Sequence, residues 1–499
     1  MEWMDPISVL FLYALVVVVL WKMSNFWNSS RQNLPPGPKP LPLIGNLHIM
    51  DVKRPYRTML KLSKQYGPVF SLQLGFQKMV VLSGYETVKE ALVKHANAFA
   101  ERPPVPILEE FQYGNGVLFS HGENWKVMRR FMLTTLRDYG MGRRTIEDRI
   151  VEECRFLKQK IESFEGKPFE NTMIMNAAVA NIVVSILLGN RFEYENPAFQ
   201  KLLKLINEVF RLLGSPSVTL YNMFPALGFL SGGRRTILND RTELYNFVQL
   251  IFDEHRKTLD VNNQRNYIDA FLTREQKEKN ENNTNGFFHD GNLKAVVGDI
   301  FSAGSETTSS TLRWGFLLMM KYPEIQKKVQ EEITKVIGSA EPRIEHRAKL
   351  PYTDAVVHEV QRFANILPTS VTRCTTVDVT LGGYFIPKGT HIVPLVYSVL
   401  YDETQWEKPY QFYPEHFLDS EGKFVKRDAF IPFGAGRRIC AGETLARMEL
   451  FLFFVSLLQR FTFQPAPGTS QEDLNFTPAV GFTAPPTPYY ICALPRAQD

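Results

Sequence analysis

Cysteine is scarce and scattered: Cys154, Cys374, Cys440 and Cys492 are the four in 499 residues, and none forms a C-x-x-C pair. That spacing argues against both a disulfide framework and a zinc site, and it suits a reducing compartment. An excess of one charge is also missing. The 57 Lys and Arg against 52 Asp and Glu leave +5, too little at this length to argue for a nucleic-acid partner. No internal repeat divides the chain, so residues 34–499 read as one large domain behind an N-terminal segment, 1–33. No G-x-G-x-x-G follows a strand pattern, so the chain shows no nucleotide site of its own.

Within that first segment, Ile7 to Trp21 is apolar and uncharged, with Trp3 and Met4 before it. It approaches the ~20 residues that cross a bilayer. Lys22 and Arg31 follow, which places the bulk of the chain on the cytosolic side. No small-residue cleavage site comes after it, so the run reads as an uncleaved anchor. The glycosylation patterns at Asn28, Asn282 and Asn475 would then face the cytosol and go unused. Leu34 to Pro40, with four prolines and a glycine, is a stiff extended spacer.

Beyond it the periodicity is mostly helical, with a minor β part. Val69 to Leu74 and Met79 to Leu82 read as a hairpin around Gly75 and Gln77. Val377 to Val399 reads as further short strands. Pro323 opens a helix whose apolar face carries Ile325, Val329, Ile333 and Val336, with Gly338 just past its end. Glu275 to Asn285 reads as a solvated loop. Asn292 to Tyr322 predicts one long helix, on the order of 45 Å.

The chemistry concentrates in Phe430 to Gly442. There Cys440 sits among Phe433, Gly434, Gly436, Arg437, Arg438 and Gly442, directly before an apolar helical run. The glycines let the backbone approach something flat, and Arg438 supplies a permanent cation. The following helix aims its amides at the sulfur and favours thiolate over thiol. A thiolate presented this way is a metal ligand or a nucleophile. A second unusual stretch, Ala303-Gly304-Ser305-Glu306-Thr307-Thr308, lies in the middle of the long helix. A threonine there can bond a carbonyl of the preceding turn, and an acid beside an alcohol can relay protons.

The pattern Phe433-x-x-Gly436-x-Arg438-x-Cys440-x-Gly442 resembles the haem-binding loop of the cytochrome P-450 family, closest to its vertebrate microsomal second family. The resemblance implies haem b (iron protoporphyrin IX) with Cys440 as axial thiolate and Arg438 on a propionate. Trp125 and Arg129 match a W-x-x-x-R propionate clasp, and Arg102 and Arg373 fall where relatives place further propionate ligands. Glu306 and Thr307 match the oxygen-activation motif, with Ala303 a wall over the haem. Glu359 and Arg362 match the E-x-x-R pair, whose third member is usually arginine where this chain has His416. By position, Phe111, Phe119, Phe210, Phe301, Leu367, Val371 and Phe482 would wall the substrate pocket. Lys126, Arg130 and Arg137 would face an acidic reductase.

The resemblance implies the helix-rich haem-thiolate monooxygenase fold behind a membrane anchor, in the endoplasmic reticulum. It implies insertion of one oxygen atom from O2 into a fatty acid, steroid or xenobiotic. The electron donors implied are NADPH-cytochrome reductase and a microsomal b-type cytochrome. Two other readings are an electron-independent isomerase or dehydratase, which tends to lose the acid–alcohol pair, and a non-catalytic haem or lipid carrier.

Overall fold

The computed structural model describes residues 13, 16–17, 33–281 and 286–496. The expected anchor lies outside them apart from Tyr13, Val16 and Val17. Among the described residues, no helix is long and apolar enough to cross a membrane. The chain falls into two compact units, Met1–Pro103 with Thr369–Leu395, and Pro104–Pro368 with Val396–Asp499.

The smaller unit is built on β-structure. β1 (Val69–Leu74) and β2 (Gln77–Leu82) form the expected hairpin, running from Val69 opposite Leu82 to Leu74 opposite Gln77. Gly75 turns it at φ 59°, a conformation that favours glycine. β3 (Arg373–Cys374), β4 (Val379–Leu381), β5 (Tyr384–Ile386) and β6 (His391–Pro394) follow. One sheet has the order β1-β2-β6-β3, and β4 and β5 make a separate hairpin. The proline-rich spacer is extended and lies along β1. Ser71 donates its amide to Pro36 O at 2.7 Å and its hydroxyl to Pro35 O at 3.0 Å.

The larger unit is helical. α1 (Pro106–Gln112) and α2 (Gly122–Asp138) lead into α3 (Thr172–Leu188), which is buried on every face from Ile174 to Leu187. A helix apolar all round belongs inside a core. α4 (Pro197–Leu213) begins with Pro197 and an Asn196 cap, and buries Phe199, Leu202, Leu203, Ile206, Val209 and Phe210. α5 (Gly232–Lys257) and α6 (Tyr267–Asn280) follow. α6 takes in the first part of the expected 275–285 loop. Its Glu275 and Glu278 are buried and paired, Glu275 with Lys279 and Arg256, Glu278 with Arg274. Residues 282–285 lie outside the described residues.

α7 (Asp290–Lys321) is the long helix, 32 residues and unbroken through Ala303 to Thr308. Gly304 lets it close on α3: a Cβ there would stand 2.8 Å from Val183 Cγ2. α8 (Pro323–Val336) is the proline-opened helix, with Ile325, Val329 and Ile333 buried. α9 (Pro351–Ala364) carries the E-x-x-R pair. Val396–Leu400 is a short helix, α10, where the β-branched residues had suggested strand. α11 (Glu443–Arg460) starts three residues after Cys440 and buries Leu445 and every residue from Met448 to Leu458, all of them apolar except Glu449 and Ser456. Strands Phe169–Glu170, Tyr490–Pro495 and Phe461–Pro465 pair antiparallel in a second sheet.

Candidate active site

The cysteine loop is held shut by its own backbone. Cys440 N–H donates to Phe433 O at 3.0 Å, and Gly434 and Gly436 take φ 73° and 74°. Cys440 reaches solvent. Packing around its sulfur, together with the Glu443 charge, holds the thiol above its ordinary value, and the amides of Gly442 and Glu443, which bond the sulfur, and the Arg129 guanidinium offset only part of that rise. Those amides open α11, so the loop does deliver a helix N-terminus to sulfur. Behind the loop, Arg447 stands 5.0 Å from the Phe433 ring, bonds Glu443 at 3.0 Å and meets His358 Nε2 at 3.1 Å. Sequence reasoning did not single out Arg447 or His358, since neither belongs to the loop's own pattern.

Three of the expected propionate ligands gather beside the loop. Arg438 lies over the Trp125 ring at 3.7 Å, and Arg129 lies 5.9 Å from it. Arg129 also donates to Ile439 O at 2.6 Å. Among the described residues, Trp125 Nε1 is a buried donor with no hydrogen-bond partner. Arg102 and Arg373 belong to the other unit, where Arg102 donates to Val371 O and Thr372 O at 2.7 and 2.6 Å.

On α7, Ala303 and Thr307 are half-buried, one turn apart, and Thr307 Oγ1 donates to Ala303 O at 2.8 Å. Glu306, between them in sequence, is buried. Its Oε1 accepts from Ser310 and from Thr483, each at 3.0 Å. Burial raises its pKa above the usual carboxylate range, against the pull of those hydroxyls and of the Arg313 charge. Thr483 was missed; its one sequence signal was adjacency to Phe482.

Glu359 and Arg362 are fully buried and joined by two bonds of 2.7 Å. Arg362 also donates to Leu400 O, Pro409 O and Gln411 O. His416 Nδ1 lies 3.2 Å from Glu359 Oε2, and its Nε2 accepts from the Lys408 amide at 3.1 Å.

The wall residues are spread. Phe482 meets Phe119 and Phe210 edge-on at 5.9 and 5.8 Å. Phe111 packs on a satellite cluster with Ile107, Leu212 and Tyr221. Leu367 is half-buried, while Val371 belongs to the smaller unit. Phe301 sits in the core beside Val184 and Phe252, lining a cavity of about 30 Å³. Of the expected docking cations, Arg137 is exposed and lines a hollow of about 500 Å³ with Arg129, Arg143 and Cys440. Lys126 is exposed and paired with Glu123 at 2.6 Å, and Arg130 is exposed.

An accessible thiol, two guanidinium groups and an orphaned indole donor fit a flat iron complex that carries carboxylates. The comparisons with known proteins agree. The family model described as Cytochrome P450 matches residues 35–493. Cytochrome P450 2K6 of Danio rerio is 51% identical over 457 residues, 92% of this chain and 90% of the relative. Cytochrome P450 2K1 of Oncorhynchus mykiss is 49% identical over 487 residues, 97% of this chain and 96% of the relative. Cytochrome P450 2C5 of Oryctolagus cuniculus is 46% identical over 497 residues, 99% of this chain and all of the relative (100%). The chain therefore belongs to the cytochrome P450 family and is a haem monooxygenase whose iron takes an axial cysteine thiolate.

Proposed function

We propose that this chain, with residues 34–499 acting as one haem domain behind a membrane anchor, oxygenates lipophilic small molecules at the endoplasmic reticulum. Its electrons would come from NADPH through a separate flavoprotein reductase, with a microsomal b-type cytochrome as second donor. In this reading Cys440 would hold the iron, and Trp125, Arg129 and Arg438 would hold the haem's carboxylates. When bound, the haem supplies oxygen activation, which the thiolate favours by donating electron density.

The protein's own work is positional. Glu306 and Thr307 hold and move protons next to the oxygen site. Burial keeps the Glu306 carboxyl protonated to higher pH than an exposed one, so it has a proton to give. Phe119, Phe210 and Phe482 offer an apolar wall and no fixed charge, which suits a fatty acid chain, a steroid or a xenobiotic. Arg137 and Arg143, beside Cys440, suit an acidic electron donor.

The observation that carries this reading is the accessible Cys440 sulfur beside the orphaned Trp125 donor and its two arginines. The test is mass spectrometry of products from the reconstituted protein with a panel of fatty acids and xenobiotics. Products heavier by one oxygen, formed only with NADPH and reductase, support it. Turnover of a lipid hydroperoxide without NADPH, or ligand binding with no oxygen consumed, contradicts it.

A further inference from the structure

Residues 481–484 form a strap pinned to three elements. At its start, a Cβ on Gly214 would stand 2.1 Å from Gly481 O, so the end of α4 and the strap touch backbone to backbone. Phe482 N–H then donates to Phe210 O at 2.8 Å. At its far end, Ala484 donates to Ile366 O at 2.7 Å and accepts from Trp314 Nε1, on α7, at 2.9 Å. Between these anchors, alternate side chains point to opposite duties. The Phe482 ring lies on Phe119 and Phe210, and the buried Thr483 hydroxyl donates to Glu306 Oε1.

We propose that Thr483 is a positioning residue for Glu306, and that it ties the orientation of that acid to the aromatic wall carried by Phe482. The proposal rests on the reading of Glu306 and Thr307 as the proton-handling pair. Among the described residues Thr483 is the one side chain from outside α7 that bonds the Glu306 carboxyl; Ser310 sits one turn further along the same helix. A glutamate has three rotatable side-chain bonds, and a contact from its own helix fixes few of them. A hydroxyl on an independently anchored strap fixes the rest. Both hydroxyls donate to Oε1, so a proton on this carboxyl occupies Oε2, and that oxygen is the one free to donate. Arg313, on the same helix, is the cation whose field reaches this carboxyl. A ligand that presses on Phe482 moves the residue next to the one steering Glu306. Proton supply then depends on how the wall is occupied.

The test uses the full-length haem-loaded protein. The infrared carbonyl stretch of the Glu306 carboxyl, assigned by its loss in Glu306→Gln, is followed in light-minus-dark spectra of the carbon monoxide complex. Peroxide released per NADPH is followed with a flavoprotein reductase. Thr483→Val keeps shape and removes the donor. It should shift the carbonyl band and raise the peroxide share about five-fold, the factor one ordinary hydrogen bond is worth. Thr483→Ser should restore both. Thr483→Ala is read in its place if the valine variant does not hold haem. An unmoved band with parental peroxide in the variant lacking the donor overturns the proposal. Thr307→Ala separates the two layers. If it leaks peroxide while Thr483→Val does not, only the role of Thr483 falls. If Thr307→Ala stays coupled, the reading beneath it falls as well.

Discussion

Around Glu359, which nitrogen donates decides the charge. The Lys408 amide can only donate, so His416 Nε2 is its acceptor and the ring proton sits on Nδ1, facing Glu359. His416 is therefore neutral, and the Glu359–Arg362 pair balances itself without a third charge. Arg362→Ala would leave the Glu359 carboxylate buried with, among the described residues, only the Tyr413 amide and His416 as donors. Removing one partner of a buried pair costs about 3–5 kcal/mol, and urea unfolding of the variant should show a loss of that size. A loss below about 1 kcal/mol, the value of a surface pair, would contradict it. The E-x-x-R spacing was legible because i and i+3 share a helical face. The role of His416 was not, because its decisive partner is a backbone amide fixed by the fold.

Between elements, the contacts that matter join helices far apart in sequence. Glu449 on α11 is buried and bonds Thr308 on α7, and burial pushes its pKa up to about 8. Unfolded, it titrates near the ordinary glutamate value of 4.5. Between those values the folded chain binds the extra proton, so stability should fall as pH rises through that window. Glu449→Gln should therefore unfold at higher urea than the parent at pH near 9, with the advantage shrinking toward pH near 5, both pH values set by those two pKa limits. Equal midpoints for the two proteins at both pH values would contradict it. Helix ends marked by Pro323 and Gly338, and the hairpin turned by Gly75, were readable because the cues are local. Glu275 and Glu278 were misread as solvated because their partners Arg256 and Arg274 neutralise them inside a packed face. The last residues of the expected Val377 to Val399 strands fall in the helix Val396–Leu400 because β-branched residues prefer strands only until packing overrides them. The Thr483–Glu306 bond spans 177 positions, and no local pattern announces it.

For the whole molecule, net charge says little and its distribution says more. The hollow beside Cys440 carries three arginines against one acid, Glu443. If an acidic donor docks there, Arg137→Glu should slow electron transfer from the reductase several-fold at low salt, and the gap should narrow as salt rises. Equal rates at every ionic strength would remove Arg137 from the encounter. Whether Cys440 holds the iron is read from the spectrum of the reduced carbon monoxide complex of the full-length protein. The parent should give a red-shifted Soret band, and Cys440→Ser should lose it. The same band in the serine variant would show that another residue is the ligand.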